Sequence, residues 1–314
     1  MFPDRHKIRI FKILAFSLLL IGWGFFAGVQ WQSRAEPANP PERSPLRVGF
    51  TRSMFSDMNV NDARAAIKVW ADSLAKTKNL DVVTDAMVYE DFSALQHAID
   101  KSEIDLASLR IDEYLDLNLK QIPETIFSGS TEGSPTDRPL LVTQRSISSL
   151  SSLQNKRLNI LIDAYVGMSK AWLNSLLLES GLPEIHQFSA DIKEVNKTSQ
   201  AVLPVFFGQR DACVVAKQGF EVMIELNPQI KEKLSVLMTG PEIVSGIMFL
   251  CPGYNPPFKE DLVKALEDLH LDPKGQQVLM LFKINRLVHC QDGHIIQARE
   301  IMEKYRALKR VDLG

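Results

Sequence analysis

The sequence predicts an α/β fold of two lobes, and two observations predict it. From Leu46 onward, short apolar strands alternate with segments of helical periodicity, the pattern of sheets covered by helices. One grammar also occurs twice. In "LQHAIDKSEIDLASL" and in "PVFFGQRDACVV" an apolar helix ends, a short polar turn follows, and an aspartate (Asp105, Asp211) stands at the mouth of an apolar strand. A third observation sets this folded part apart from what precedes it. A charge-free run from Ile13 to Ser33 follows the basic segment "MFPDRHKIRIFK".

The elements follow in order. Residues 1–33 read as a transmembrane helix or a signal segment. Ile13 to Ser33 just reaches the length of a spanning helix, with Trp23 and Trp31 placed for the outer interface, while Ser33-Arg34-Ala35 offers a cleavage site. The uncleaved anchor is the favoured reading, and in either case the rest of the chain is exported. No cysteine follows the apolar run, which argues against a lipoprotein. Residues 34–45 are proline-rich and read as a stiff linker. "LRVGF" is the first strand. "NDARAAIKVWADSLAK" is a helix capped by Asn61, with Ala63, Ile67, Trp70 and Leu74 on one face. "LDVVTDAMV" is a strand, "DFSALQHAIDK" a helix, "IDLASL" a strand, and "RIDEYLDLNL" starts a further helix. This order predicts a mostly parallel sheet. Ser128 to Arg138 reads as a polar, turn-rich stretch. "PLLVTQ" and "KRLNILI" are strands, and "MSKAWLNSLLLESG" is a helix stopped by Gly181. "SQAVLPVFF", "DACVV", "KQGFEVMIELN" and "LSVLMTG" alternate helix and strand. "PEIVSGIMFLCP" is a return strand, and three helices close the chain.

Bulk properties exclude several classes. The net charge of −2 carries no polyanion-binding signature, so nucleic acid is not an expected partner. Three cysteines (Cys213, Cys251, Cys290) allow at most one disulfide. No Walker loop, G-x-G-x-x-G, H-E-x-x-H or G-x-S-x-G occurs, so an enzyme is not expected. "HCQDGH" gathers His289, Cys290, Asp292 and His294, but without a second ligand cluster these read as loop residues, and neither a metal nor another cofactor is expected.

The pattern "LRVGF…DFSALQHAIDKSEIDLASL…EY…PLLVTQRSISSLSSLQNKRL…GQRDACVV…LDPKGQQVLMLFKI" resembles the phosphate/phosphite/phosphonate-binding proteins of ABC transporters, which have the type 2 periplasmic-binding fold. The resemblance implies a clamshell. One lobe would hold residues 46–138 and 247–314, and the other residues 139–246. It also implies a small anionic solute as ligand, with ABC permease and ATPase subunits as partners. Phosphonate binders place a hydroxyl-rich turn at the start of the first large helix of the second lobe. In "DAYVGMSKAW" the matching positions are Val166, Gly167 and Met168, and Ser169 alone keeps a hydroxyl. Where the family often has tyrosine after an acidic residue, this chain has Asp91-Phe92, with Tyr89 near. "GSPTDR" puts Asp137 where aminoethylphosphonate binders have a second tyrosine, and a ligand-facing acidic position is Ser199.

The candidate ligand residues lie at strand ends, where open α/β sheets bind their ligands. Thr51, Arg52 and Ser53 follow the first strand, and Arg52 suits a bidentate grip on an oxyanion, or else is a solvated loop arginine. Tyr89, Arg110 and Tyr114 complete the first lobe. Tyr165, Gly167, Met168 and Ser169 open a helix whose N–H groups suit an anion, and Lys197, Thr198 and Ser199 open the next. Asp105 and Asp211 stand at the opposite strand ends and are expected to finish tight turns. The expected function is an exported solute-binding protein for ABC-type uptake. The alternative is a membrane-tethered ligand-sensing domain serving a signalling partner.

Overall fold

The structure is a computed structural model that describes residues 44–55, 59–77, 82–131 and 133–312. The expected anchor or signal of residues 1–33 and the linker up to residue 43 lie outside the described residues. Among the described residues, no helix is long and apolar enough to cross a membrane.

Thirteen strands occur among the described residues. They are β1 (Ser44–Thr51), β2 (Val82–Tyr89), β3 (Leu106–Arg110), β4 (Ile126–Ser130), β5 (Thr136–Asp137), β6 (Pro139–Gln144), β7 (Arg157–Leu161), β8 (Asp191–Val195), β9 (Ala212–Ala216), β10 (Leu234–Thr239), β11 (Ile243–Val244), β12 (Gly246–Leu250) and β13 (Arg286–His289). One sheet runs β13-β4-β12-β3-β1-β2 and a second runs β10-β6-β9-β7-β8. The short β5 and β11 pair with each other, Asp137 opposite Ile243. Each lies just before a strand of a different sheet, β6 in the five-stranded one and β12 in the six-stranded one. The chain therefore passes between the sheets on an antiparallel ribbon.

The helices are α1 (Val60–Thr77), α2 (Phe92–Asp100), α3 (Ile111–Asp116), α4 (Val166–Glu179), α5 (Ile185–Phe188), α6 (Thr198–Phe206), α7 (Lys217–Leu226), α8 (Gln229–Lys233), α9 (Lys259–Glu267), α10 (Pro273–Leu281) and α11 (Asp292–Asp312). They cover both faces of both sheets. In the six-stranded half, Val48, Phe50 and Phe127 pack under Ile67 and Trp70 of α1 and Leu262 and Leu279 of α9 and α10. On its other face Leu109, Ile247 and Phe249 meet Leu95, Tyr114 and Ala298 of α2, α3 and α11. The five-stranded half repeats the three-layer plan, with α6, α7 and α8 on one face and α4 and α5 on the other. Alternate residues along each strand feed the two faces, which the near-continuous apolar runs such as "ACVVA" anticipate.

Several expectations are corrected. The sheets are mixed, not mostly parallel. β2-β1-β3 and β9-β7-β8 are parallel, while β12, β4 and β13, like β6 and β10, pair antiparallel. The first strand starts at Ser44, so the end of the expected linker already belongs to a sheet. Helix α1 starts before Asn61, whose N–H is bonded by the side chain of Asn59 at 2.8 Å. The polar stretch from Ser128 contains the end of β4. Its Ser128 and Ser130 are 1% and 0% exposed, because a small hydroxyl fits between sheet and helix where polarity alone suggests a loop. The return strand is broken at Ser245, between β11 and β12. Gly181 and Gly208 do stop their helices, with φ of +69° and +74°, a conformation open to residues without Cβ.

Asp105 and Asp211 answer for the repeated grammar. Asp105 is 3% exposed. Its carboxylate accepts from the Arg47 backbone N–H at 2.8 Å and from Arg47 Nε and Nη2 at 2.9 and 2.6 Å. Asp211 accepts from the Arg157 N–H at 2.8 Å and from Arg157 Nε at 3.2 Å. Each Asp also donates its own N–H to the same arginine's carbonyl, at 2.8 and 3.0 Å, and its carbonyl accepts from the end of the antiparallel neighbour, Cys251 or Gln144. In both halves the aspartate thus fastens the start of one parallel strand to its neighbour, to Arg47 within β1 and to Arg157 at the start of β7.

The halves also meet outside the ribbon. Met168 of α4 is fully buried in the core of the six-stranded half. Helix α11, whose Ala298 belongs to that core, runs on to lie against α4. There Lys304 pairs with Glu179 at 2.8 Å and Lys309 with Glu184 at 3.3 Å, and the Tyr305 hydroxyl donates to Glu184. Ile301 packs against the cores of both halves.

Because Asp105 is buried and Asp211 is half-buried, the two clamps differ in weight. Asp105→Ala leaves the Arg47 N–H and guanidinium without their partner and is expected to cost about 3–4 kcal/mol; Asp211→Ala is expected to cost about 1–2 kcal/mol. Urea unfolding of the two variants measures this order, and equal losses would contradict it.

Candidate functional site

The site is built where the carboxyl ends of β1, β3 and β7 face one another's helices. β1 ends in Thr51, which is fully buried, and the chain turns through Arg52 and Ser53. β3 ends in Arg110, which starts α3. Glu113, three residues on, reaches back, and its Oε2 accepts from the Arg110 N–H at 3.1 Å, Thr51 Oγ1 at 2.8 Å and Ser53 Oγ at 2.8 Å. Two of the expected ligand-binding hydroxyls are therefore engaged by a carboxylate of the same chain. The same is true of the arginines. Arg52 Nη1 pairs with Glu90 at 2.7 Å on the surface. Arg110 holds Asp112 in a two-pronged grip, Nε to Oδ1 at 3.0 Å and Nη2 to Oδ2 at 2.7 Å.

From the other sheet, β7 leads through Asp163, Ala164 and Tyr165 into α4. The Tyr165 N–H donates to Asp163 Oδ1 at 2.9 Å, and the Tyr165 hydroxyl contacts the side chain of Ser245, at the break between β11 and β12. The start of α4 is where Asp112 arrives. A Cβ added to Gly167 would lie 1.9 Å from Asp112 Oδ2 and 2.9 Å from Oδ1. The absence of a Cβ thus admits the carboxylate to the first turn of the helix. Arg110 and the start of α4 at Gly167 thus meet through Asp112, which was not among the expected residues.

The structure places the remaining candidates elsewhere. Met168 and Tyr114 are corrected from ligand contacts to core residues. Met168 is fully buried, and Tyr114 lies edge-on to Phe249 at 5.6 Å. Ser169 is buried in α4, bonded through its N–H to the Tyr165 carbonyl at 2.9 Å. The Tyr89 ring packs over Gly49 in the sheet. Lys197 and Ser199 flank Thr198 at the start of α6, and Thr198 packs on α7, its Oγ1 2.9 Å from where a Cβ on Gly219 would stand. Glu113, Asp112, Asp163 and Ser245 are the site residues missed from the sequence. The signal available was the run Arg110-Ile-Asp112-Glu113 at a strand end, where acidic residues in a helix's first turn sit beside the arginine.

Beneath the six-stranded edge of the site lies a cavity of about 50 Å³, lined among others by Phe50, Trp70, Phe127, Ser108, Ala164 and Ser245. Trp70 Nε1 is buried without a hydrogen-bond partner among the described residues. The cavity is mostly apolar, and it reaches the site at Ala164 and Ser245. The three cysteines are free, and burial pushes the Cys251 and Cys290 thiols up to about 12 and about 11. His289 of "HCQDGH" lies on β13 and pairs with Glu267 at 2.8 Å, and no metal-binding group of His, Cys, Asp and Glu forms among the described residues.

Burial pushes the Asp163 carboxyl up to about 7, the Asp137 carboxylate adds to the rise, and the Tyr165 N–H opposes it. Burial likewise raises Asp137, against the Arg138 and Gln218 N–H groups that bond it.

The sequence model of the family described as "ABC transporter, phosphonate, periplasmic substrate-binding protein" matches residues 53–294. Among solved structures, a Xanthomonas citri protein bound to ATP superposes with a TM-score of 0.60 at 13% identity, covering 85% of this chain and 98% of its own. PhnD1 from Prochlorococcus marinus, in complex with methylphosphonate, superposes with a TM-score of 0.57 at 16% identity, covering 84% and 99%. A binding protein component of an ABC phosphonate transporter from Pseudomonas aeruginosa gives 0.56 at 12%, covering 85% and 88%. No curated protein matches the chain by sequence.

Asp163 sets a pH dependence. Between its ordinary value of 3.8 and about 7, the folded protein holds a proton that the unfolded chain releases. Stability from this group is therefore full below about pH 4 and is lost as pH rises through 7. Asp163→Asn keeps an acceptor for Tyr165 and removes the charge. It is expected to melt with the wild type at pH 3.5, slightly above it at pH 5 and roughly 5 °C above it at pH 8.5. Melting curves across that range decide it, and an offset that does not change with pH would contradict the assignment.

Proposed function

The chain belongs to the family of periplasmic substrate-binding proteins of ABC phosphonate transporters, and from that premise we propose that it captures a small organic anion of the phosphonate class between its two halves. The family is one of solute-binding transport components, not enzymes. The matched region, residues 53–294, takes in both sheets and the ribbon between them, and this is the observation that carries the reading.

The halves act as two lobes, residues 46–138 with 247–314 and residues 139–246, which close over the ligand by bending at the paired β5 and β11. The anionic group is received by Arg110 and the first turn of α4, and the organic substituent points to the apolar cavity at Ala164 and Ser245. The loaded protein delivers its solute to an ABC permease and ATPase. The apolar run of residues 13–33 behind a basic segment supports export, with the chain held at the outer face of the membrane as the favoured case.

Isothermal titration of the full-length chain with phosphate, phosphite, methyl- and ethylphosphonate, alkanesulfonates and small carboxylates tests the reading. Saturable heat with at least one alkylphosphonate is expected, and none with the carboxylates. Ala164→Trp, which fills the mouth of the cavity, is expected to remove the preference for ethyl over methyl. No heat and no thermal shift with any anion would overturn the ligand class.

A further inference from the structure

A helix of 14 residues such as α4 carries free N–H groups and a positive partial charge at its first turn, and a negative group is favoured there. The group that the structure puts there belongs to the chain itself. The Asp112 carboxylate lies against Gly167, and Arg110 grips it with two donors. The two side chains of that pair are only 18% and 14% exposed. Asp112 comes from α3 on the six-stranded half and Gly167 from α4 on the other, so the contact spans the two halves. The Glu113 and Asp163 carboxylates act on Arg110 as well. While Asp112 is in place, the Nε and Nη2 donors that would form a bidentate grip on a second anion are both engaged by it.

We propose that Asp112 is an intramolecular competitor of the ligand: its carboxylate occupies the seat of the ligand's anionic group, and an incoming anion reaches Arg110 and α4 only by displacing it. The proposal rests on the solute-binding reading above. Displacement exchanges one anion for another at the same fork. A dianion with three oxygens can engage both the arginine and the helix start, and it gains over the single carboxylate that it expels. The apparent affinity is lowered by the fraction of molecules in which the seat is free. Asp112 thus sets the specificity of the cleft, raising the threshold against weak, monovalent anions.

The test vacates the seat and asks whether an anion fills it. Full-length wild type, Asp112→Ala and the double variant Arg110→Ala/Asp112→Ala are melted in sodium phosphate and in sodium chloride of matched ionic strength. Asp112→Ala is expected to gain several degrees more from phosphate than from chloride, while the wild type and the double variant respond to the two salts alike. In titrations, methylphosphonate is expected to bind Asp112→Ala about tenfold or more tightly than wild type. Should Asp112→Ala not fold, Asp112→Asn, which keeps the shape and removes the charge, carries the same comparison. A phosphate effect no larger in the Asp112 variants than in wild type overturns the proposal, as does one that survives the loss of Arg110. The two readings fail separately. If wild type binds an alkylphosphonate but the Asp112 variants gain nothing, the competitor is refuted and the solute-binding reading stands. If the phosphate-specific gain appears while wild type binds none of the panel, the competitor stands and the ligand class falls.

Discussion

Everything at the cleft depends on the paired aspartate clamps at the far ends of the strands. Parallel strands cannot be tied by a hairpin, so their relative register has to be fixed by something else. Here the fixing point is one carboxylate per half, which takes both the backbone N–H and the guanidinium of the neighbouring strand's arginine. β3 and β9 are five residues long. Fastening their starts sets where they end, and they end at Arg110 and at Ala216, on the side where the halves meet. A buried ion pair is weak as a source of stability but effective as a device of register, because it tolerates no partner but its own.

The fold was legible because its signals are repeated and periodic. Helices such as α1 and α2 show a 3.6-residue apolar stripe, and the stops of α4 and α6 at Gly181 and Gly208 require a conformation that glycine adopts freely. The strands read less completely. β8 is mostly exposed, with "DIKEV" carrying three charges, and β13 is a four-residue edge. Neither has an apolar run to announce it. β4 is central and buried, yet its serines disguised it. Strand direction was legible only where a helix intervenes, which is why the antiparallel members of both sheets were missed.

At the site, the sequence identified the donors and missed what they hold. Thr51, Ser53, Arg52 and Arg110 stand at strand ends as expected, but Glu113, Glu90 and Asp112 satisfy them. A buried hydroxyl or guanidinium needs a partner in the resting protein. For Arg110 it comes from the next turn, in Asp112, while Thr51 and Ser53 take theirs from Glu113 on the neighbouring strand's helix and the exposed Arg52 from Glu90. Residues read one at a time look like open ligand contacts; read as a group, Arg110 to Glu113 is a self-satisfied unit. Tyr114 was expected at the cleft from its place one helical turn after Arg110, and Met168 from the helix start that the resemblance singles out; their bulk and low polarity take both side chains into the core.

Helix α11 gives the molecule a mechanical property. The two halves are joined by a pair of crossing strands, which alone would form a simple door with one axis. By lying across α4, with Lys304 on Glu179 at its end, Tyr305 and Lys309 on Glu184 before α5, and Ile301 against both cores, α11 adds a third attachment beside those strands. A door braced at a corner does not swing by bending its hinge alone; the brace must slip or peel. Any change in the angle between the halves would have to remake the ion pairs of Lys304 and Lys309 and the packing of one shared isoleucine.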